Sequence, residues 1–174
     1  MPLPGSAPHT WVANDDATSG NLQSMTAWLD FLRNRSLTVL RQTVQQSIPN
    51  ASWTALNWDT VGIDVDTLHT GTSSQLIPPI PGWWALVADA ATASNATGQR
   101  GLRPVKNGSA LFGRDFGPPA SGFSTGLHYA CEIDFNGSTD YVEVQVYQSS
   151  GGALLTGGST EDPGRISLKY LRPL

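Results

Sequence analysis

The sequence predicts an all-β protein, an antiparallel sandwich or jelly roll preceded by an extended arm and one short α-helix. Three observations carry that expectation. Apolar residues fall in short runs separated by 18 Gly and 12 Pro in 174 residues, a punctuation too dense for long helices. Segments 37–44, 52–58, 83–93, 101–106, 126–135, 141–148 and 166–171 are rich in β-branched or aromatic residues, or alternate apolar with polar. Asn-Gly pairs, a strong turn signal, stand beside such segments at Asn107-Gly108 and Asn136-Gly137.

The first ten residues hold Pro2, Pro4 and Pro8 and no periodicity, and read as an extended arm. Over 21–32, Leu22, Met25, Leu29 and Leu32 recur at intervals of three and four with Trp28 beside them, which places one apolar stripe on a helix. Ser19 or Asn21 is expected to cap it. A helix of about three turns is marginal alone in water, so its stripe must dock on something. Residues 1–35 are therefore read as an attachment piece and 36–174 as the folded domain.

Within that domain the clearest strand is 141–147, where Val142, Val144 and Val146 share one face and Glu143 and Gln145 the other. Asn136-Gly137 is expected to join it to 126–135 as a hairpin, and Asn107-Gly108 to make a second hairpin. Two proline-bearing stretches, 70–82 and 113–126, cannot pair throughout as central strands. They are expected to form rims or ends of the sandwich, where a ligand or neighbouring subunit is met. Trp83 and Trp84 are adjacent in a strand and must point to opposite faces, so at least one belongs to the core.

Charged residues make up only 14% of the chain, against roughly a quarter in ordinary domains. A surface so poor in charge suits packing against neighbours in an assembly. The formal charge is −4 and no Lys/Arg cluster occurs, which argues against a nucleic-acid partner. No apolar run approaches the roughly 20 residues of a membrane span, and the N-terminal residues lack the features of a signal peptide. Assembly in the cytoplasm is the resulting expectation. Cys131 is the only cysteine, so no intrachain disulfide forms, and it reads as a core thiol.

Catalytic signatures are missing. His9, His69 and His128 stand beside no recognisable nucleophile motif, and there is no Gly-x-Ser-x-Gly, phosphate loop or His-Glu-x-x-His. The carboxylate pairs Asp64/Asp66 and Glu161/Asp162 could serve a glycosidase in principle, but solvated structural roles are the simpler reading. Calcium at Asp64 and Asp66 is the functional alternative. No enzyme activity, cofactor or resident metal is expected.

Two resemblances extend this reading. Trp53-Thr-Ala-Leu-Asn-Trp-Asp59, then Leu76-Ile77-Pro78 leading to Pro81-Gly82-Trp83-Trp84, then Asn107-Gly108 and the strand 141–147 resemble the trimeric jelly-roll family of complement C1q and tumour necrosis factor. That resemblance covers roughly Ser36 to the C-terminus and implies a C1q/TNF-like jelly roll assembled as a homotrimer. The segment Thr10-Trp11-Val12-Ala13, Thr18, Asn21-Leu22 and Leu29-Asp30-Phe31-Leu32 resembles the opening of tail and head-surface proteins of tailed bacteriophages. Asn14-Asp15 here replaces the usual Gly-Asp, and Asn21-Leu22 reverses the usual Leu-Asn order. This second resemblance implies a non-catalytic protein of the virion surface, a capsid decoration or head-fibre protein or a small minor tail protein. Its partners would be its own copies and major capsid or tail proteins, the latter met through Trp11, Leu22, Met25, Trp28, Leu29 and Leu32. The alternative is a receptor-binding module for host surface glycans, with Trp84 as the contact.

Overall fold

The computed structural model describes residue 10 and residues 18–111, 113–157 and 163–174. One helix, α1 (Ser19–Arg33), precedes the strands β1 (Leu37–Gln42), β2 (Ser47–Ile48), β3 (Ser52–Ala55), β4 (Thr60–Asp64), β5 (Gly82–Thr92) and β6 (Arg100–Lys106). They continue as β7 (Ser109–Ala110), β8 (Asp115–Gly117), β9 (Thr125–Phe135), β10 (Val142–Gln148), β11 (Leu154–Leu155) and β12 (Gly164–Arg172). The first sheet has the order β4-β1-β12-β5-β9, and the second runs β3-β10-β6-β7 with β8 also on β6. A small β11-β2 pair completes the set. All ladders are antiparallel, and strands distant in sequence lie side by side. This is the expected jelly-roll sandwich.

Alternation explains how the two sheets meet. β10 buries Val142, Val144 and Val146, as its sequence requires, against Trp84, Leu86 and Ala88 of β5 and Ile166, Leu168 and Tyr170 of β12. Side chains of this kind stabilise by roughly 1.5–3 kcal/mol each when fully buried. The seven expected strands are all present, with ends moved by no more than three residues. Those missed, β2, β4, β7, β8 and β11, span two to five residues each. They carry too few residues for a periodicity to register.

The two Asn-Gly pairs part ways. Asn107 (φ 51°) and Gly108 (φ 78°) are both left-handed and join β6 to β7 across the Lys106–Ser109 pair, a two-residue hairpin as expected. Asn136-Gly137 does not make the expected hairpin, because β9 and β10 belong to different sheets. Here Asn136 Oδ1 accepts from the backbone N–H groups of Ser138, Thr139 and Asp140 at 2.9, 3.0 and 3.1 Å, so a side chain closes the loop instead of a ladder. Gly137 (φ 75°) passes so close to the proline-rich stretch that a Cβ would lie 2.5 Å from the Pro81 backbone nitrogen. Gly137→Ala should therefore lower unfolding free energy by about 2 kcal/mol or more. A denaturation midpoint equal to the parent's would contradict that contact.

Asp140 secures the same corner. Its carboxylate accepts from Asn107 Nδ2 at 2.8 Å and the Asn136 N–H at 2.9 Å, and it pairs with Lys106 at 3.2 Å. The Asn107 hydrogen bond, aided by those of Asn136 and Lys106, outweighs partial burial and holds its pKa below the ordinary 3.8. A depressed carboxylate contributes stability above its unfolded pKa and loses it as pH falls through the lower folded value. Asp140→Asn should thus be less stable than the parent at neutral pH, with the gap closing below pH about 4. Denaturant melts across that window read it directly.

The 70–82 stretch, expected at a rim or end of the sandwich, packs onto it through its apolar side chains. Leu76 and Ile80 are buried, Leu76 exchanges two 3.0 Å backbone hydrogen bonds with Val142, and Ile80 O accepts from Trp84 Nε1. It plugs the sandwich and leaves only Ile77 strongly exposed among its large apolar side chains.

The cap of helix α1 lies one residue before the first expected one. Thr18 Oγ1 accepts from the Asn21 N–H at 3.3 Å, so Thr18, not Ser19 or Asn21, is the N-cap. The helix meets the body through Phe31, which is 2% exposed and packs edge-on to Tyr170 at 5.5 Å, with Trp28 edge-on to Phe31 at 5.9 Å. The stripe expected to dock points elsewhere: Leu22, Leu29 and Leu32 are 49%, 57% and 50% exposed.

Candidate functional site

The outer face of the first sheet is the broadest candidate surface. Its register sets Ile63, Val39, Ser167, Val87 and Ala130 in one row across all five strands. The next row is Leu37, Lys169, Ala85 and Glu132. Trp83 lies at one end, 36% exposed, and Ile63 at the other, 45% exposed. Ordinarily one face of an antiparallel sheet meets the core and the other water, with polar residues outward. β5, Gly-Trp-Trp-Ala-Leu-Val-Ala over 82–88, is apolar on both faces, the composition of a strand covered on both sides. That was the sequence signal for this surface.

The face continues around the free edge of β9. Tyr129 and Cys131 point inward yet are only partly buried, and with Leu111 they flank the core. A cavity of about 360 Å³ opens there between Trp83, Leu111, Cys131, Glu132, Ile133 and Asp134. Burial, with the nearby Glu132 charge, pushes the Cys131 thiol up to about 11. It stays protonated at neutral pH, a packing group and not a nucleophile.

At the far end of β9 the rows become charged. Arg41, Arg165, Asp89 and His128 follow one another across four strands, and His128 Nδ1 lies 2.6 Å from Asp89 Oδ1. A cavity of about 410 Å³ beside them is lined also by Asp115, Leu127 and Pro163. An imidazole held by a carboxylate is two thirds of a triad, but no Ser, Thr or Cys lines this cavity among the described residues.

The residues singled out from sequence are scattered. Trp11 lies outside the described residues, as do His9, Glu161 and Asp162. Leu22, Leu29 and Leu32 lie together on the free side of α1, with Met25 and Trp28 half-buried beside them. Trp84 is 0% exposed, ringed by Phe135 and Tyr170 and hydrogen-bonded to Ile80 O. It has no surface to offer a glycan, so the contact expected of it is corrected to a core role, and Trp83 is the outward partner. Asp64 is occupied by protein donors, Thr38 Oγ1 at 2.8 Å and the Leu68 and His69 N–H groups at 2.9 and 3.1 Å. Among the described residues no group of three or more His, Cys, Asp or Glu is placed to hold a metal.

No family model matches the chain, and no curated protein matches it by sequence. Solved structures do match by fold. Murine APRIL superposes with a TM-score of 0.61 at 13% identity, over 79% of this chain and 100% of that one. The globular domain of zebrafish complement 1qA protein gives 0.57 at 8% identity, over 80% and 100%. The vertex protein P5 of PRD1 gives 0.53 at 17% identity, over 79% and 98%. With two antiparallel sheets in non-sequential strand order and these neighbours, the fold of this chain is the C1q/TNF-type jelly roll.

Proposed function

We propose that this chain is a non-catalytic structural protein of a bacteriophage virion, a homotrimer attached to the particle through its N-terminal residues. The observation that carries the reading is the pair of exposed apolar surfaces, one on the sheet and one on the helix. The row Ile63, Val39, Val87 and Ala130, continuing to the free β9 edge, suits closure on copies of the same chain. Closed symmetry is the usual outcome for such an interface. The stripe Leu22, Met25, Leu29 and Leu32 is separate from that sheet face and lies beyond the only helical residue buried in the body, Phe31.

With the arm before it, including Trp11, this stripe is the proposed contact with major capsid or tail proteins. An aromatic and several leucines are the residue types that fill pockets at such contacts. The virion assignment draws on the phage-like N-terminal segment and on the fold likeness to the PRD1 vertex protein. The fold likeness to APRIL and complement 1qA is consistent with a non-catalytic role.

The test is binding of the purified protein to purified particles lacking it, with cryo-EM to place it on head or tail. Leu22→Asp/Leu29→Asp changes only exposed side chains, so the variant should fold and yet fail to decorate particles. Full decoration by that variant would remove the helix from the attachment site, and absence of the parent chain from particles would remove the virion role.

A further inference from the structure

The outer face of the second sheet carries a feature that self-association and attachment leave unused. Trp53 of β3, Tyr147 of β10 and Phe116 of β8 converge on Gly101 of β6, with ring centroids 5.3, 5.9 and 6.1 Å apart. A Cβ on Gly101 would lie 2.7 Å from Phe116 and 3.0 Å from Trp53, so the missing side chain is what lets the rings settle. Two guanidiniums lie on this platform. Arg103 stacks on Trp53 at 4.2 Å, and Arg114 lies 5.1 Å from the Phe116 centroid.

Both arginines line one cavity of about 310 Å³ with Ala110, Leu111 and Gly113. Among the described residues no carboxylate lines it and neither arginine has an ion-pair partner. Nearby acids are engaged elsewhere: Glu143 accepts from Ser74 at 2.6 Å and Asp115 from the His128 N–H at 3.1 Å. Arg103 is fixed by Gln145 Oε1, which accepts from its Nε at 3.0 Å and Nη2 at 2.7 Å. Burial, and then the Arg114 charge, lower the Arg103 pKa, as expected of two like charges awaiting a counter-ion. That arrangement is unexpected in a chain of net charge −4.

The structure assigns to Arg103 and Arg114 a binding site for the carboxylate of an acidic saccharide. Arg114 can offer a carboxylate its fork, and Arg103 the Nη1 edge that is not turned to Gln145. Phe116, 41% exposed and next to Arg114 at the edge of this cavity, supplies an apolar ring against which the C–H face of a sugar packs.

The test titrates the full chain with a galacturonate hexasaccharide, its methyl ester and inorganic phosphate, following tryptophan fluorescence and calorimetry. Arg114→Gln is the decisive variant, because Arg114 is exposed and its removal spares the fold. The hexasaccharide should bind, at least tenfold more weakly to Arg114→Gln, with no binding of the ester and at least tenfold weaker binding of phosphate. The proposal falls if the hexasaccharide does not bind, if Arg114→Gln binds it unchanged, or if the ester binds equally. Phosphate matching the hexasaccharide would reduce the site to one for free oxyanions and overturn the saccharide. Loss of self-association in Arg114→Gln would assign the arginines to another copy of the chain.

Discussion

Val87→Glu is expected to turn the proposed trimer into monomers at micromolar concentration while leaving the sandwich folded. Val87 lies on the central part of β5 with its side chain outward, between Ser167 of β12 and Ala130 of β9. In the free chain a carboxylate there stays in water and costs the fold little. In the assembly each copy would bury a carboxylate on an apolar surface two residues from Asp89, which is hydrogen-bonded to His128. Burial of an unpaired charge costs several kcal/mol, incurred in every subunit of the ring. Sedimentation should show the parent as trimer and the variant as monomer, with circular dichroism and thermal unfolding of a folded chain. A trimeric Val87→Glu, or a parent that sediments as monomer, would move or abolish the interface.

Phe31→Ala and Leu29→Asp should have opposite consequences although they are neighbours on one helix. Phe31 is buried against Tyr170, at the end of the core that also holds Trp84. Its truncation should lower unfolding free energy by about 3–5 kcal/mol. Leu29 is 57% exposed, and Leu29→Asp should change stability by less than about 0.5 kcal/mol while weakening attachment to particles. Denaturant titrations and particle-binding assays on the same two variants separate the roles. A large stability loss in Leu29→Asp would mean that the stripe packs on the chain's own body.

The low cost expected for Leu29→Asp bears on where the folded unit begins. The sequence places a boundary at residue 35, because helix periodicity ends and strand alternation starts there. The structure sets Phe31 in the core, four residues before it. Deleting residues 1–35 would remove a core side chain together with the arm, so the exposed-stripe variants are the cleaner test of attachment.

Sequence alone determined what depends on local pattern. Alternation in Val142, Val144 and Val146 gave the buried face of β10, and adjacency in a strand required Trp83 and Trp84 to part. The 3-4-3 spacing of Leu22, Met25, Leu29 and Leu32 gave the helix and its stripe. Which of two equivalent possibilities is realised was decided by tertiary structure. Either tryptophan could have faced outward until the sheet that holds β5 was packed against the second sheet. An Asn-Gly turn can close a hairpin or cross between sheets, and Gly137 against Pro81 selects the crossing. Phe31 rather than the leucine stripe meets the body because Tyr170 supplies an aromatic partner there, a contact between residues 139 positions apart that no local window contains. The Arg103–Arg114 site is of the same kind: its rings come from β3, β8 and β10, Arg103 from β6 and Arg114 from the residue before β8, and only pairing of those strands sets the rings beside the two arginines.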